Sequence, residues 1–160
     1  MQHMSVEAVR TYFKKWPGME ARILEFPVSS ATVAEAALAV GTQEQRIAKT
    51  LSFLLERGPI LVVAAGDAKV DNKKFKAAFH KKASMLKADE LTELIGHPAG
   101  GVCPFAVREG VEIYLDVSLK RFATVFPACG SANSAIELTI PELEIYSRFE
   151  EWVDVCKIPE

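Results

Sequence analysis

Lys49 is the residue whose type and place most invite chemistry. Ile47, Lys49, Leu51, Phe53 and Leu55 share one side of an extended strand, and Ala48, Thr50, Ser52 and Leu54 share the other. A lysine among large apolar neighbours must snorkel to solvent, pair, or project into a cavity. Pattern alone leaves two readings open. One is a strand-edge cation reaching water. The other is a cation held in a pocket to bind an anion or orient a substrate, with its pKa lowered by burial.

A second candidate is the run Gly96-His97-Pro98-Ala99-Gly100-Gly101-Val102-Cys103-Pro104-Phe105. Paired glycines let a substrate approach the backbone, and their N–H groups can polarise a carbonyl or steady an oxyanion. The run lacks the Lys-Ser/Thr ending of a phosphate-binding loop and the GxGxxG order of a dinucleotide loop. Taken by itself, it is also an ordinary tight loop. Cys103 would need His97 or His80 to activate it, and an unpaired cysteine is more often an inert small hydrophobe. The histidines His3, His80 and His97 show no metal-ligand spacing. Asp116 alternates away from the apolar side of its strand, where it either orients a substrate amine or is simply solvated or hydrogen-bonded.

These groups must be held by a mixture of helices and strands. Ser5–Lys15 reads as a helix capped by Ser5, and Trp16-Pro17-Gly18 ends it. Residues 21–26 read as a first strand. Ser29, Ser30 and Thr32 offer caps for an Ala-rich helix over 33–40, closed by Gly41. The Lys49 strand and the apolar run 60–65 form an antiparallel hairpin about Gly58-Pro59. Asp71 caps a helix that buries Phe75 and Phe79, and Asp89 opens a short helix to Leu94. Val111–Val117 alternates as a half-buried strand. Strands follow at 124–126 and 135–139, then a helix from Pro141 and a last strand at 152–156. The order has no regular βαβ rhythm, so the fold class is α+β or mixed α/β, with one domain over residues 5–160.

Composition narrows the class further. The chain has 160 residues, 49% hydrophobic and 25% charged, which excludes a disordered chain. No apolar run nears the roughly 20 residues of a membrane span, so no membrane partner is expected. Met1-Gln2-His3-Met4 carries no signal-peptide pattern and reads as a vector-derived or disordered start. Cys103, Cys129 and Cys156 are widely spaced and form no CxxC, which suits a reducing cytoplasm. The net charge of −2 gives no global pull on nucleic acid, yet Lys69, Lys73, Lys74, Lys76, Lys81, Lys82 and Lys87 lie close together. That stretch is either the solvated face of a helix or a source of phosphate contacts to a folded RNA.

Ile47-Ala48-Lys49-Thr50-Leu51, Gly100-Gly101-Val102-Cys103-Pro104-Phe105, Tyr114-Leu115-Asp116, Cys129-Gly130 and Ile136-Glu137-Leu138 resemble, in order, the landmarks of the YbaK/ProX trans-editing deacylases. The resemblance implies a mixed, largely antiparallel sheet surrounded by helices. It also implies hydrolysis of the ester joining a wrong amino acid to a tRNA, with neither metal nor cofactor. A Cys- or Ala-type small amino acid on a proline or related tRNA is the implied substrate, and an aminoacyl-tRNA synthetase is a further candidate partner. Lys49, Gly100, Gly101 and Asp116 fall at the implied catalytic positions. Ser30, Thr32, Val102, Cys103, Pro104, Phe105 and Gly130 fall at substrate-binding ones. Two departures stand out: Cys103 replaces a serine common before the loop proline, and Gly130-Ser131-Ala132-Asn133 replaces a basic stretch. The contrasting reading is a non-catalytic module that binds aminoacyl-tRNA ends or a protein partner.

Overall fold

The computed structural model describes residues 2–159, the first three of these by their backbone alone. The expected vector-derived or disordered start therefore falls largely outside what is described. The chain runs α1 (Gln2–Phe13), β1 (Leu24–Glu25), α2 (Val33–Val40), β2 (Ile47–Leu55), β3 (Gly58–Ala65), β4 (Lys69–Val70) and α3 (Asn72–Phe79). It continues through α4 (Ala88–Leu94), β5 (Glu112–Asp116), β6 (Thr124–Pro127), β7 (Ser134–Ala135), β8 (Leu138–Thr139), α5 (Ile140–Ser147), β9 (Glu151–Val153) and β10 (Cys156–Lys157).

Six strands form one sheet in the order β8-β6-β2-β3-β5-β9. Its spine is the antiparallel β2–β3 hairpin, in register from Ala48↔Ala65 to Leu55↔Gly58. β6 and β8 also pair antiparallel, whereas β2–β6, β3–β5 and β5–β9 are parallel. Two short antiparallel pairs, β1–β7 and β4–β10, flank it. This is the mixed α/β architecture expected from the sequence.

The hairpin forms because residues 60–65 are apolar without a break, and all six are fully buried. A strand apolar on both faces must be covered on both. On the Lys49 side, Phe53 meets Phe75 of α3 at 4.7 Å between ring centroids, and Phe79 meets Tyr114 of β5 at 5.0 Å. The i,i+4 spacing of Phe75 and Phe79 makes this possible, since both then leave one face of α3. A second aromatic group gathers Phe13 and Trp16, Phe105, and Tyr146 of α5. Residues from both ends of the chain share one apolar core.

Several local expectations shift. Ser5 is not a cap, because α1 begins at Gln2 and encloses it. The strand foreseen over 21–26 is a 3-10 turn (Glu20–Arg22) followed by the two-residue β1. β1 pairs only with the equally short β7, so no ladder extends it. The strand foreseen over 135–139 is split between β7 and β8, which pair with different partners. Thr32 caps α2 in a reciprocal box with Glu35, and Gly41 ends it in the left-handed conformation. Asp71 caps α3 by accepting from the amides of Lys73 and Lys74.

Candidate active site

β2 pairs with β6 only at Ile47 and Ala48, and beyond them the two strands part. The free edge of β2 is partly covered by residues 84–86: Leu54 N–H donates to Ser84 at 2.9 Å and Leu86 N–H to Ser52 at 3.2 Å. A cavity of about 320 Å³ opens beside this break. Small residues of β2 (Ala48, Thr50, Ser52), the start of α2 (Thr32, Val33, Ala36), and Ala99, Gly100 and Val102 contribute to its wall. Met85 and Leu86 form part of one side, and Ala128, Ser134 and Ala135 part of another.

Among the described residues, Lys49 is the only ionisable one that lines the cavity. It shares the sheet face of Ile47, Leu51 and Phe53, as the alternation predicts. Its ammonium donates to the main-chain carbonyls of Ala68 and of Gly66, the latter at 3.4 Å. An ammonium has three N–H donors, so this clamp leaves one for a ligand. Burial lowers the pKa of Lys49 below its ordinary value, while Cys156 and Asp67 pull the other way. The Lys49 side chain is thus neither a free surface cation nor an isolated buried one.

The glycine pair divides its labour. Gly101 N–H donates to Pro98 at 3.0 Å and closes the turn. A Cβ on Gly101 would sit 2.6 Å from the Gly130 carbonyl carbon, so two stretches of backbone pass in contact there. Gly100 adopts φ +85° and lines the cavity, and its N–H has no acceptor among the described residues. Of the two amides, only that of Gly100 is free for a substrate. Gly101 and Gly130 serve the packing of the loop instead.

The other sequence candidates separate in the same way. Ser30, Thr32 and Val102 line the cavity together with Lys49 and Gly100. The Ser30 hydroxyl donates to Ala132 at 3.3 Å, and the Thr32 hydroxyl caps α2. Cys103, Pro104, Phe105, Gly101 and Gly130 are buried outside the lining. Phe105 belongs to the aromatic group around α1 because its ring packs 4.8 Å from that of Phe13.

Asp116 is placed apart from the cavity. It is 1% exposed, and its two carboxylate oxygens accept from the amides of Ser118 and Val155, each at 2.9 Å. Of the alternatives left by the sequence, this is the hydrogen-bonded carboxylate, held by main-chain amides rather than by solvent. Asp116 ties the end of β5 to the segment before β10 and does not line the cavity.

Cys103 lies outside the lining as well, with its Sγ 3.5 Å from His97 Nε2. It is fully buried, and burial pushes its thiol up to about 12. His97, also fully buried, meets the Ser5 hydroxyl through Nδ1 and the Phe105 carbonyl through Nε2 at 2.6 Å. A carbonyl only accepts, so Nε2 carries the proton and Nδ1 accepts from Ser5. The histidine is a buried strut between α1 and the glycine loop. The sequence offered Ser5 only as a helix cap, since a hydroxyl alone signals no contact across 92 positions.

Proteins of similar sequence and fold identify the family. The model of the aminoacyl-tRNA editing domain matches residues 28–145, which include β2, the glycine loop and α2. A protein of Bacillus subtilis (strain 168), called uncharacterized protein YwhH, is 56% identical over 155 residues, covering 96% of this chain and 98% of that one. A solved structure described as a candidate trans-editing enzyme for prolyl tRNA synthetase superposes with a TM-score of 0.85 at 27% identity, over 96% of this chain and 97% of that one. Another, described as hypothetical protein APE2540, superposes with a TM-score of 0.79 at 29% identity, over 94% of this chain and 99% of that one. The lysine-lined cavity beside a glycine turn therefore sits within a chain that belongs to the aminoacyl-tRNA editing domain family.

Proposed function

We propose that this protein is a trans-editing deacylase that hydrolyses the ester between a wrongly attached amino acid and the 3′-terminal ribose of a tRNA. Family membership supports the substrate class. The observation that carries the reading is the cavity whose one ionisable residue, Lys49, is clamped by two carbonyls with a third N–H to spare. At about 320 Å³ the cavity lies near the low end of small-ligand sites, roughly 300–1,000 Å³, and suits the aminoacylated end of a tRNA but not its stem.

Lys49 holds the acyl or ribose end in place, and the Gly100 amide polarises the ester carbonyl and steadies the oxyanion that forms from it. Among the described residues, no carboxylate, imidazole or thiol lines the cavity to take a proton. Water aligned by a ribose hydroxyl of the substrate attacks the carbonyl carbon, the ester C–O bond breaks, and the ribose oxygen leaves with a proton. The protein's share is positioning and electrostatics, with no metal in the step. Small amino acids such as alanine or cysteine on a proline or related tRNA fit the reading. A pocket of this kind separates side chains by only about 1–3 kcal/mol per methylene.

A panel of mischarged tRNAs, including Ala- and Cys-charged proline tRNA, tests the proposal with wild type and Lys49→Ala. Wild-type turnover with a fall of about 100-fold or more in the variant is expected. Absence of turnover across the panel, with the protein folded and binding tRNA, would replace the deacylase with a binding module for aminoacyl-tRNA ends.

A further inference from the structure

The lysine-rich stretch is not absorbed by the mechanism above, and its place relative to the cavity is specific. Residues 80–88 contain Lys81, Lys82 and Lys87 and no acid. Met85, Leu86 and Ala88 line the cavity, so Lys87 stands in its lip. Lys82 is three residues from Met85, within about 10 Å along an extended chain. Met85 is 58% exposed and marks this side as open to solvent.

Not all lysines of the stretch are free to act. Lys74 pairs with Asp154 at 3.1 Å, and Lys81 donates to the Leu54 carbonyl at 3.1 Å. Lys82 and Lys87 are exposed and enter no ion pair among the described residues. The neighbouring acids do not cancel them completely. Glu90 uses one oxygen to cap the Lys87 amide at 2.8 Å, which leaves Asp89 as the exposed acid next to Lys87. Glu35, at the start of α2, is turned to Ser29 and Thr32.

We propose that Lys82 and Lys87 form a cationic lip that grips the backbone phosphates just before the 3′ end of the tRNA. The inference rests on the deacylase reading for its ligand. An RNA whose last ribose enters the cavity must carry its preceding phosphates across the mouth, where they meet whatever charge the lip presents. A local cation pair then suffices for a protein with a net charge of −2, because phosphate contacts act through nearby charges and counterion release. The lip fixes the register of the strand without reading its sequence.

The test compares wild type with Lys82→Glu/Lys87→Glu and with the milder Lys82→Gln/Lys87→Gln. Binding of uncharged tRNA is followed by fluorescence anisotropy from about 50 to 200 mM salt. Hydrolysis of an aminoacyl ester of adenosine, which lacks phosphates, is measured in parallel. Charge reversal should weaken tRNA binding by about tenfold or more at low salt, and the Gln pair should lower the slope of log Kd against log salt by about two. Hydrolysis of the adenosine ester should be unchanged in both variants. Equal tRNA affinity and slope in all three proteins, no tRNA binding by wild type, or a matching loss with the adenosine ester would overturn the lip. Lysine-dependent tRNA binding by a wild type that hydrolyses neither the adenosine ester nor any mischarged tRNA of the panel would uphold the lip and remove the deacylase.

Discussion

Gly101 and Gly130 meet backbone to backbone: a Cβ on Gly101 would lie 2.6 Å from the carbonyl carbon of Gly130. Their contact brings the loop that carries Gly100 against the segment that leads to Ser134, and both Gly100 and Ser134 line the cavity. The cavity wall is thus set by a close approach that no side chain can enter.

Gly101→Ala should therefore act on the fold. The added methyl faces main chain, which has little freedom to yield, so a loss of about 1–3 kcal/mol is expected in urea unfolding. Gly100→Ala meets a different penalty. Its φ of +85° costs an L-residue about 1–2 kcal/mol, and the new Cβ would sit 3.0 Å from that of Ala31. Turnover should drop more than stability in Gly100→Ala, and stability more than turnover in Gly101→Ala. The reverse order would give Gly101 the substrate contact.

Cys103, Cys129 and Cys156 are all buried, with thiols held above their ordinary range by loss of solvent. A thiol reagent should label none of them in the folded protein within minutes at pH 7 and all three after denaturation. Cys103→Ala should retain deacylation of the preferred mischarged tRNA within about threefold, at a stability cost of about 1 kcal/mol for the lost packing. Loss of turnover in a folded Cys103→Ala protein would restore the cysteine to the chemistry.

Asp116→Ala should damage folding more than catalysis. It leaves the amides of Ser118 and Val155 without an acceptor, and each unsatisfied buried group costs about 1–3 kcal/mol. Asp116→Asn keeps one acceptor oxygen and should lose less. Measured on the folded fraction, kcat should match wild type in both. A fall in kcat of Asp116→Asn at unchanged thermal stability would return Asp116 to the active site.

What the sequence made legible follows from the range of each signal. Alternation along β2 correctly set Lys49 with Ile47, Leu51 and Phe53, and the unbroken apolar run announced β3 and the hairpin. Thr32 and Gly41 bounded α2 because caps are local. Asp116 stayed open between a substrate contact and a solvated or hydrogen-bonded carboxylate, because alternation reports polarity along one strand and not which main-chain amides a carboxylate meets. Gly101 and Gly130 looked like substrate-facing glycines, since a sequence cannot distinguish close approach of a ligand from close approach of another part of the chain. The 21–26 strand failed for a related reason: β-propensity gave it an extended look, but it finds only two partners.

His97 supplies a pH dependence with a defined sign. Burial depresses its pKa below the ordinary 6.5, only partly offset by the Phe105 carbonyl. The unfolded chain therefore binds a proton that the folded protein refuses, and stability rises with pH through that interval. The contribution is fully present above about pH 6.5 and is lost as pH falls toward the folded pKa, at no more than about 1.4 kcal/mol per pH unit. Protonated Nδ1 donates to the Ser5 hydroxyl instead of accepting from it, so the strut between α1 and the glycine loop reverses its hydrogen bond in the same step. Urea midpoints from pH 7.5 to 5 should decline in wild type and decline less in His97→Gln, which starts from lower stability but has no imidazole to titrate. Parallel declines in the two proteins would assign the acid sensitivity to other groups and leave His97 as packing alone.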